Sequence, residues 1–550
     1  MKSKILVLVT GILLIVAFAV PIRLSSQSQT TKFLHYELID MGTFGGPYSS
    51  SPSLNARGLT AGWSATTLPK VPTSNPLVCG GVDGIGSVVT LAFEWQNGIL
   101  TNLGALPGPH NCSEPFSVND FGVIAGTSEN GEVDPRTGGN VTRAVIWKNG
   151  QIQDLGSLGG SQNIAYWINN SEQVVGWGEN TVPDPFSMID SLFFMTPNGS
   201  QTRAVLWDHG QVNDLGTLGG PDAIASFINN LGQIAGSSYT SAIPNPVTGL
   251  PPADPFLWEP PSAGFPKGRM IDLGSFGGTN GFSNALNNRG QVIGGSSIAS
   301  NSGACFFLVF NPGCHPFLWD NGKLLDLNTN TIGGNPLSAD WFNDFGEIVG
   351  VAAFPNAPAD AYIWRNGVAT DLGHLKNDCF SRAWGINSLG QVVGDSLSCK
   401  TLKPIFGGQP QQDRAFLWEN GQLVDLNALI PPGSSLTLVD TGPLSDVLVP
   451  NINDRGEIVG VGAPPGCQPA FVQFCGHAFL LIPVCPDGTE GCADAPLDPA
   501  IVQASAASLN QTTASSASSS TLTAAEIMSK PRFRSALARR NLHLGLEPPK

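Results

Sequence analysis

The sequence predicts an all-β protein, a β-propeller of about eight four-stranded blades. Three observations support this fold class. Short segments rich in apolar residues alternate with Asn, Asp and Gly turns, the same arrangement recurs along the chain, and the two ends of the recurring region each carry half of one unit. No helix of useful length fits between the turns.

The stretch from Ala204 to Gly236 shows one complete unit, AVLWDHGQVNDLGTLGGPDAIASFINNLGQIAG. Runs of four to six residues between such turns are typical of hairpins, because the turns need backbone angles that Gly and Asn tolerate. The unit has four segments, which are Ala204 to Trp207, Gln211 to Leu215, Ala223 to Ile228 and Gln233 to Gly236.

The unit occurs eight times, with a spacing of roughly 45 to 65 residues, which indicates a repeat architecture. The fourth segment is anchored by Gly62, Gly126, Gly176, Gly236, Gly294, Gly350, Gly394 and Gly460. The turn before it begins at Asn55, Asn119, Asn169, Asn229, Asn287, Asn343, Asn387 and Asn453. The first segment ends in Trp95, Trp147, Trp207, Trp258, Trp319, Trp364 and Trp418, and the last copy has Leu481 instead. We expect Trp207, Trp258, Trp319, Trp364 and Trp418 to pack between neighbouring units.

Repeats that cannot bury an apolar face alone must stack on one another, and antiparallel four-stranded units commonly close into a propeller. The chain begins its array with a segment of the second type, Tyr36 to Gly42, and ends it with one of the first type, Ala478 to Pro483. A ring closed by pairing the first strand with the last is split in this way. Seven blades and an open β-solenoid are the alternatives.

The repeats resemble the HAF family of extracellular repeats, whose name-giving triplet occurs here as His477-Ala478-Phe479. The resemblance covers roughly Tyr36 to Pro483 and includes AFLWENGQLVDL from Ala415 and AWGINSLGQVVG from Ala383. It implies a secreted bacterial protein and supplies no established catalytic residue.

We predict four regions along the chain. Residues 1–30 form a signal peptide or an N-terminal anchor, because Lys2 and Lys4 precede an apolar run and a small-residue site at Ala17 to Ala19. Residues 33–484 form the propeller, 485–528 a linker rich in Ser, Ala and Thr that carries a disulfide, and 529–550 a short basic helix or tail. Three interpretations of the tail remain open: it docks on the acidic ring, it contacts an anionic envelope surface, or it is disordered.

The composition agrees with an exported protein. The chain has 550 residues, 66 Gly, 43 Pro and a net charge of −15. This charge excludes nucleic acid and anionic lipid as partners, so a membrane contact is expected only through an uncleaved N-terminal segment. The location is predicted as secreted or cell envelope.

Ten cysteines in an exported chain indicate disulfides, and we expect each cysteine to pair with its nearest neighbour. The pairs are Cys79 with Cys112, Cys305 with Cys314, Cys379 with Cys399, Cys467 with Cys475 and Cys485 with Cys492. The first four pairs map to one face of the ring, where the Gly-rich connections and the long insertions emerge. The insertions are Ser64 to Thr90, Ser128 to Thr142, Glu179 to Thr202, Ser237 to Asp254 and Ser396 to Arg414.

This loop-rich face is the candidate binding surface, and exposed aromatic side chains such as those of DPFSMIDSLFFM from Asp184 suit a carbohydrate or protein partner. The alternative is that the insertions only pack over the mouth of the ring.

Catalytic, cofactor-binding and metal-ligating residues are predicted to be absent. No CxxC pair, calcium loop, GxSxG or sialidase-type motif occurs. The seven histidines share no repeat position and are expected to be satisfied or solvated; they are His35, His110, His209, His315, His374, His477 and His543. Six aspartates do share one position and are expected to accept backbone N–H bonds beside a tight turn; they are Asp154, Asp214, Asp272, Asp326, Asp371 and Asp425.

The function expected from these features is that of a non-catalytic binding or scaffold propeller that recognises a carbohydrate or protein partner through its loop-rich face. Two alternatives remain. One is a polysaccharide hydrolase or lyase, which needs two carboxylates, or a His and a Tyr, converging at the mouth of the ring. The other is a purely structural surface protein.

Overall fold

The computed structural model describes residues 35–75, 77–79, 87–189, 199–246, 249–299, 313–355, 357–398, 413–442, 450–468 and 472–484. These residues form eight antiparallel sheets that follow one another along the chain as the blades of a β-propeller. The predicted fold class is confirmed, with eight blades rather than seven. The predicted domain boundaries at 1–30, 485–528 and 529–550 lie outside the described residues.

Strand β1 (His35–Asp40) comes first in the chain and belongs to the last blade. Blade 1 contains β2 (Gly45–Leu54), β3 (Thr60–Pro69), β4 (Val88–Gln96) and β5 (Ile99–Gly104). Blade 2 contains β6 (Ser113–Val118), β7 (Ile124–Val133), β8 (Asn140–Lys148) and β9 (Gln151–Asp154). Blade 3 contains β10 (Gly159–Ile168), β11 (Val174–Pro183), β12 (Ser200–Asp208) and β13 (Gln211–Asp214). Blade 4 contains β14 (Ala223–Ile228), β15 (Ile234–Tyr239), β16 (Ala253–Glu259) and β17 (Arg269–Asp272).

Blade 5 contains β18 (Gly281–Leu286), β19 (Val292–Ser297), β20 (Cys314–Asp320) and β21 (Lys323–Asp326). Blade 6 has its inner strand in two pieces, and contains β22 (Asn335–Pro336), β23 (Trp341–Phe342), β24 (Ile348–Phe354), β25 (Ala357–Arg365) and β26 (Val368–Gly373). Blade 7 contains β27 (Asp378–Ile386), β28 (Val392–Ser398), β29 (Asp413–Glu419) and β30 (Gln422–Asp425). Blade 8 contains β31 (Thr437–Asp440), β32 (Ile458–Ala463) and β33 (His477–Val484). A 3-10 helix (Leu426–Ala428) and one turn of α-helix, α1 (Val472–Cys475), complete the assignment.

Pairing between the two ends of the array closes the ring. Strand β1 pairs antiparallel with β33, with Leu38 opposite Leu481, and so supplies the outer strand of blade 8. This is the closure that the split terminal unit predicts.

The hairpin that joins the third and fourth strands of most blades uses the tight turn that Asn-Gly pairs favour. The first turn residue is Asn or His with φ between 47° and 53°, and the second is Gly with φ between 72° and 90°. Two successive residues with positive φ define the type I′ turn, whose twist matches that of the strands. The first turn residues are Asn97, Asn149, His209, Asn321, Asn366 and Asn420.

In six blades the glycine that anchors the second strand lies opposite a bulge in the inner strand. In blade 4 the register shifts between Ala225 and Phe227, and a Cβ on Gly236 would lie 2.0 Å from the carbonyl oxygen of Ile224 and 2.7 Å from the ring of Phe256. Since no side chain fits this space, the glycine is required by close approach rather than by its backbone angles.

The seven repeat tryptophans are 1% to 9% exposed and pack between blades. Trp207 of blade 3, for example, lies in one apolar cluster with Ala125 and Ile146 of blade 2, and its Nε1 donates to the carbonyl oxygen of Gly156 at 3.0 Å. Trp364 donates in the same way to Thr331 Oγ1 at 3.1 Å. The structure therefore places all seven between blades, as the sequence predicts for five of them, and Trp95 and Trp147 have the same role.

A second ring of contacts links the eight repeat asparagines. Each Asn Nδ2 donates to the backbone carbonyl oxygen of the equivalent Asn in the next blade, at 2.9 to 3.2 Å. The circle closes because Asn453 of blade 8 donates to Asn55 of blade 1. Each Asn Oδ1 meanwhile accepts the N–H groups two and four residues further on, as Asn229 does from Leu231 and Gln233. The same side chain thus shapes its own turn and binds the neighbouring blade.

Three aromatic side chains fill the central channel above this asparagine ring. Trp167 of blade 3 and Trp341 of blade 6 are on nearly opposite sides of the ring, yet their ring centroids are 5.9 Å apart. Phe227 lies 5.3 Å from Trp167 and 6.2 Å from Trp341. Side chains from blades 3, 4 and 6 therefore meet inside the ring at this level.

Some predicted insertions are wrong in their extent. Strands β7 and β8 continue as a hairpin as far as the pair Val133 and Asn140, and β11 and β12 as far as Pro183 and Ser200. Backbone hydrogen bonds between these strands thus extend the sheet into segments whose composition had predicted loops. Among the described residues, no helix has the length and apolar character needed to cross a membrane.

Candidate functional site

The ring has two unlike faces. The face that we call the turn face carries the Asn-initiated turns between first and second strands and the short turns between third and fourth strands. The opposite face, which we call the loop face, carries the connections between second and third strands and those between blades. This is the division that the sequence predicts.

The connection between β3 and β4 reaches beyond its own blade. The Asn75 backbone N–H donates to Glu129 Oε1 at 2.5 Å, and Asn75 Nδ2 donates to the Asn140 carbonyl oxygen at 2.7 Å, both in blade 2. The same Nδ2 donates to Gln162 Oε1 of blade 3 at 2.8 Å. One buried asparagine therefore fixes a loop of blade 1 across two further blades.

Glu129 is the anchor of this loop and is fully buried. Its carboxylate accepts from Asn75, from the Cys112 backbone N–H at 2.8 Å and from Asn140 Nδ2 at 3.1 Å. Burial raises the pKa of the Glu129 carboxyl, and these three donors oppose that shift. Burial also lowers the pKa of nearby Lys70 to about 8, against the attraction of Glu129. The carboxylate has a structural role here, since its donors hold the loop.

Blades 2 and 3 make similar contacts with the blade that follows each of them. Arg136, between β7 and β8, donates to Glu179 Oε2 of blade 3 at 2.8 Å and to Asp134 at 2.9 Å. Met188, between β11 and β12, donates its N–H to Asp222 Oδ2 in the connection that leads to blade 4, at 2.5 Å. The insertion of each of blades 1–3 therefore contacts the blade that follows it. We call the surface that these insertions form over blades 1–4 the rim.

Two buried carboxyl groups meet where the blade 3 insertion contacts the start of blade 4. Asp222 is fully buried, Asp184 is 5% exposed, and their side chains are hydrogen-bonded to one another. Burial raises the pKa of Asp222 well above its usual value, and the charge of Asp184 adds to this shift. Neither group is accessible to a substrate.

The disulfides lie on the loop face. Cys79 and Cys112 are bonded with their Cα atoms 5.2 Å apart, and Cys467 and Cys475 with theirs 5.6 Å apart, as predicted. Cys314 and Cys379 are also disulfide-bonded, at the starts of β20 and β27, while their predicted partners Cys305 and Cys399 lie outside the described residues, as do Cys485 and Cys492.

The side chains of Cys79, Cys112 and Glu129 lie close enough together to share a metal ion. Because both sulfur atoms are already bonded to each other, they are not available as thiolate ligands.

An open cleft of about 250 Å³ lies beside the Cys467–Cys475 disulfide, on the loop face of blade 8. Ser434 to Thr437 form one wall and Ala463 to Cys467 the other. The lining combines hydroxyl groups with proline and leucine and has no charged side chain, which suits a neutral polar ligand better than an ion.

Among the described residues, His374 comes nearest to a catalytic arrangement. Its Nδ1 is 2.8 Å from Asp360 Oδ1, and this contact raises the pKa of the imidazole, with Asp378 and Asp371 contributing. Asp378 is itself held by Ser396 Oγ at 2.7 Å and by Arg414 at 2.9 Å. His374 Nε2 makes no hydrogen bond with a described residue. The Asp360–His374 pair therefore orients the imidazole as a base, but no described nucleophile or acid is positioned at its Nε2.

Two other histidines lie at the starts of their strands and pair with aspartates of the outer strand. His315 is 2.8 Å from Asp326, and His477 is 2.9 Å from Asp40. His209 lies in a turn with φ of 47°, and His110 Nδ1 is 2.6 Å from the Pro69 carbonyl oxygen. His543 lies outside the described residues.

The six aspartates at one repeat position do accept the predicted backbone N–H bonds, each from the residue two positions further on, at 2.8 to 2.9 Å. In several blades a cation on the third strand also faces this aspartate, as Arg203 faces Asp214 at 2.9 Å. Arg143 in blade 2 and Arg414 in blade 7 occupy the same repeat position.

Blade 4 has Asp254 at this position, two residues before Phe256, which pairs with Asp272. Burial raises the pKa of Asp254 to about 6, and the charge of Asp272 contributes to the shift. Blade 4 therefore brings two acids together where blade 3 has an ion pair.

Among the described residues, the exposed large apolar side chains of the rim are aliphatic. Leu68, Val133 and Val182 are each 47% exposed and Ile243 is 76% exposed, one on each of blades 1–4. In the segment from Asp184, Phe186 is half-buried and Met188 and Ile189 are buried against Trp177 and Tyr239, whereas Phe193 and Phe194 lie outside the described residues, so the expectation of exposed aromatic side chains there stays a prediction.

Sequence reasoning missed the anchors Asn75 and Glu129. One signal was present, since Glu129 and Glu179 both stand three residues after the repeat glycine of their blades. The long-range partners of Asn75 had no such signal, because Gln162 is 87 residues away.

No protein-family model matches the chain, and no curated protein matches it. Among solved structures, it is similar to the β-propeller domain of the Trilobed protease from Pyrococcus furiosus, with 10% identity over 70% of this chain and 97% of that one and a TM-score of 0.37. It is also similar to an acylaminoacyl peptidase from Pyrococcus horikoshii, with 11% identity over 69% of this chain and a TM-score of 0.38, and it spans about half (52%) of that protein's length. A polysaccharide lyase of the PL25 ulvan lyase family matches at 10% identity over 79% of this chain and 82% of the other, with a TM-score of 0.24 or less. Likenesses this distant carry no argument about activity.

Proposed function

We propose that the protein is a secreted or envelope-associated, non-catalytic propeller that binds a partner through its loop face. The observation that supports this most strongly is the rim over blades 1–4, in which Asn75, Arg136 and Met188 each bind a neighbouring blade. Loops held in this way keep one shape, and a fixed surface lowers the entropy lost on binding. The disulfides are compatible with an extracytoplasmic location.

Of the two partner classes, the exposed side chains favour a protein. A row of aliphatic side chains on four successive blades suits an apolar protein surface, whereas carbohydrate recognition commonly uses aromatic platforms. The buried positions of Asp184 and Asp222, and the missing partner of the His374 pair, give the hydrolase or lyase alternative no specific support among the described residues.

The test compares three proteins as baits for secreted and envelope proteins and for a panel of polysaccharides. They are the wild type, a rim variant with Leu68→Ser, Val133→Ser, Val182→Ser and Ile243→Ser, and a turn-face control with Ile99→Ser, whose side chain is 66% exposed. We expect one protein to bind the wild type and the control with equal affinity, and the rim variant at least tenfold more weakly. Equal binding by all three, or turnover of a polysaccharide by the wild type, would contradict the proposal.

A further inference from the structure

The turn face carries a ring of exposed side chains around the asparagine ring, which we call the tip annulus. It consists of the two residues that follow each repeat asparagine, namely Ala56-Arg57, Asp120-Phe121, Asn170-Ser171, Asn230-Leu231, Asn288-Arg289, Asp344-Phe345, Ser388-Leu389 and Asp454-Arg455. Four large apolar side chains in it stand in solvent. Phe121 is 64% exposed, Leu231 62%, Phe345 67% and Leu389 49%.

Hydrogen bonds link neighbouring tips of the annulus to one another. In six of the eight blades the first tip residue donates its N–H to the side chain of the first tip residue of the next blade, as Asn170 does to Asn230 at 3.0 Å. The arginines also reach across blades. The Arg57 guanidinium lies 5.5 Å from the ring centre of Phe121, and Arg289 donates to the Phe345 carbonyl oxygen at 3.2 Å. Neighbouring tips therefore hold one another in place.

We propose that the tip annulus is the interface of a homodimer, in which two copies meet turn face to turn face about a two-fold axis. The arrangement of charged tips identifies a second copy of the chain as the partner. In two places a basic tip is followed by an acidic tip in the next blade, Arg57 by Asp120 and Arg289 by Asp344, and these two places are diametrically opposite because they fall in blades 1 and 2 and in blades 5 and 6. Blade 8 carries both charges itself, on Asp454 and Arg455.

A two-fold axis through these two gaps makes the surface self-complementary. Two rings that face each other run in opposite directions, so an axis between blades 1 and 2 sets blade 1 of one copy against blade 2 of the other, and blade 5 against blade 6. Arg57 then faces Asp120 and Phe121 of the second copy, and Arg289 faces Asp344 and Phe345. Contacts of this reciprocal kind are what an isologous interface requires.

The same axis sets blade 4 against blade 7, so that Leu231 of one copy meets Leu389 of the other. One further axis position, which pairs blade 1 with blade 6, also opposes the arginines to the aspartates, but it separates these two leucines. The first register alone satisfies both the charges and the apolar tips.

The size of the surface sets the expected affinity. About 16 tip residues per copy is below the 20 to 30 residues a side of a standard interface, so we expect a dissociation constant in the micromolar range. Such a dimer would direct both loop faces outward and give the assembly two equivalent partner surfaces.

The first experiment measures the mass of the full chain by light scattering and its association by sedimentation velocity, from 1 to 200 μM. We expect a concentration-dependent shift to twice the chain mass. The double variant Phe121→Ser and Phe345→Ser should weaken association at least tenfold, and the loop-face control Ile298→Ser, at a side chain that is 39% exposed and lies outside the rim, should not. A wild type that stays monomeric at 200 μM, or a double variant that associates as well as the wild type, would overturn the proposal.

A cross-linking experiment tests the register without relying on destabilising variants. A chain with Leu231→Cys and a second chain with Leu389→Cys are mixed and treated with a short bis-maleimide, and each is also treated alone. We expect cross-linked dimer in the mixture and at least tenfold less in either chain alone. Equal cross-linking of one chain with itself, or none in the mixture, would contradict the arrangement.

Discussion

Replacing one ring asparagine tests whether the asparagine ring stabilises the propeller. Asn229→Ala removes two bonds donated by Nδ2, to the Asn287 carbonyl oxygen at 3.0 Å and to Gln233 Oε1 at 2.9 Å. It also removes two bonds accepted by Oδ1, from the N–H groups of Leu231 and Gln233 at 3.0 Å. Each hydrogen bond contributes about 1 kcal/mol net, and water can replace those at the turn surface, so we expect a loss of about 2 to 4 kcal/mol.

The assay is chemical denaturation followed by tryptophan fluorescence, with Asn130→Ala as the control. Asn130 bonds only to Glu132 at the surface, so its replacement should cost about 0.5 kcal/mol or less. Asn453→Ala, which cuts the link between blade 8 and blade 1, should cost as much as Asn229→Ala. The reasoning is refuted if either ring variant is no less stable than Asn130→Ala.

Two further variants probe the blades. Gly236→Ala should lower the melting temperature strongly, because its Cβ would lie 2.0 Å from the Ile224 carbonyl oxygen, whereas Gly264→Ala, with no atom within 4 Å, should have little effect; equal melting points would contradict the close approach. Asp254→Arg should raise the melting temperature, most of all above pH 6. The Asp254 carboxyl binds a proton more tightly in the folded wild type than in the unfolded chain, so the wild type loses stability as pH rises from about 4 through about 6. A gain that is largest at pH 4, where the Asp254 carboxyl of the folded wild type is protonated, would show that replacing the Asp254 charge is not the cause.

Much of the ring could be predicted from the sequence because the repeat exposes it. The positions of Asn229 and Gly236 recur with fixed spacing, and the split between Tyr36 and Pro483 indicated how the ring closes. The repeat does not show which side chains bond to the next blade. An asparagine that caps its own turn and one that also binds the next blade have the same sequence, so the circle of bonds that ends at Asn453 needed the structure.

The rim of the loop face was less predictable because its contacts are not repeated. Asn75 stands in an insertion whose sequence does not recur in the insertions of other blades, and its bonds to Asn140 and Gln162 join distant parts of the chain. The burial of part of the segment from Asp184 was not predictable either, because Met188 and Ile189 are covered by the apolar surface of blades 3 and 4, which is distant in sequence.

Hydrogen exchange of the blade 1 loop tests most directly the claim that the loop face has one fixed shape. The amides of Asn75 and Cys112 donate to the Glu129 carboxylate, and the Cys79 amide donates to the Asn75 carbonyl oxygen at 2.8 Å. We predict that peptides containing these amides exchange as slowly as the neighbouring strand β10, and that Glu129→Ala makes them exchange at least a hundredfold faster while β10 stays protected. Exchange of these amides within seconds in the wild type, while β10 is protected, would contradict the account.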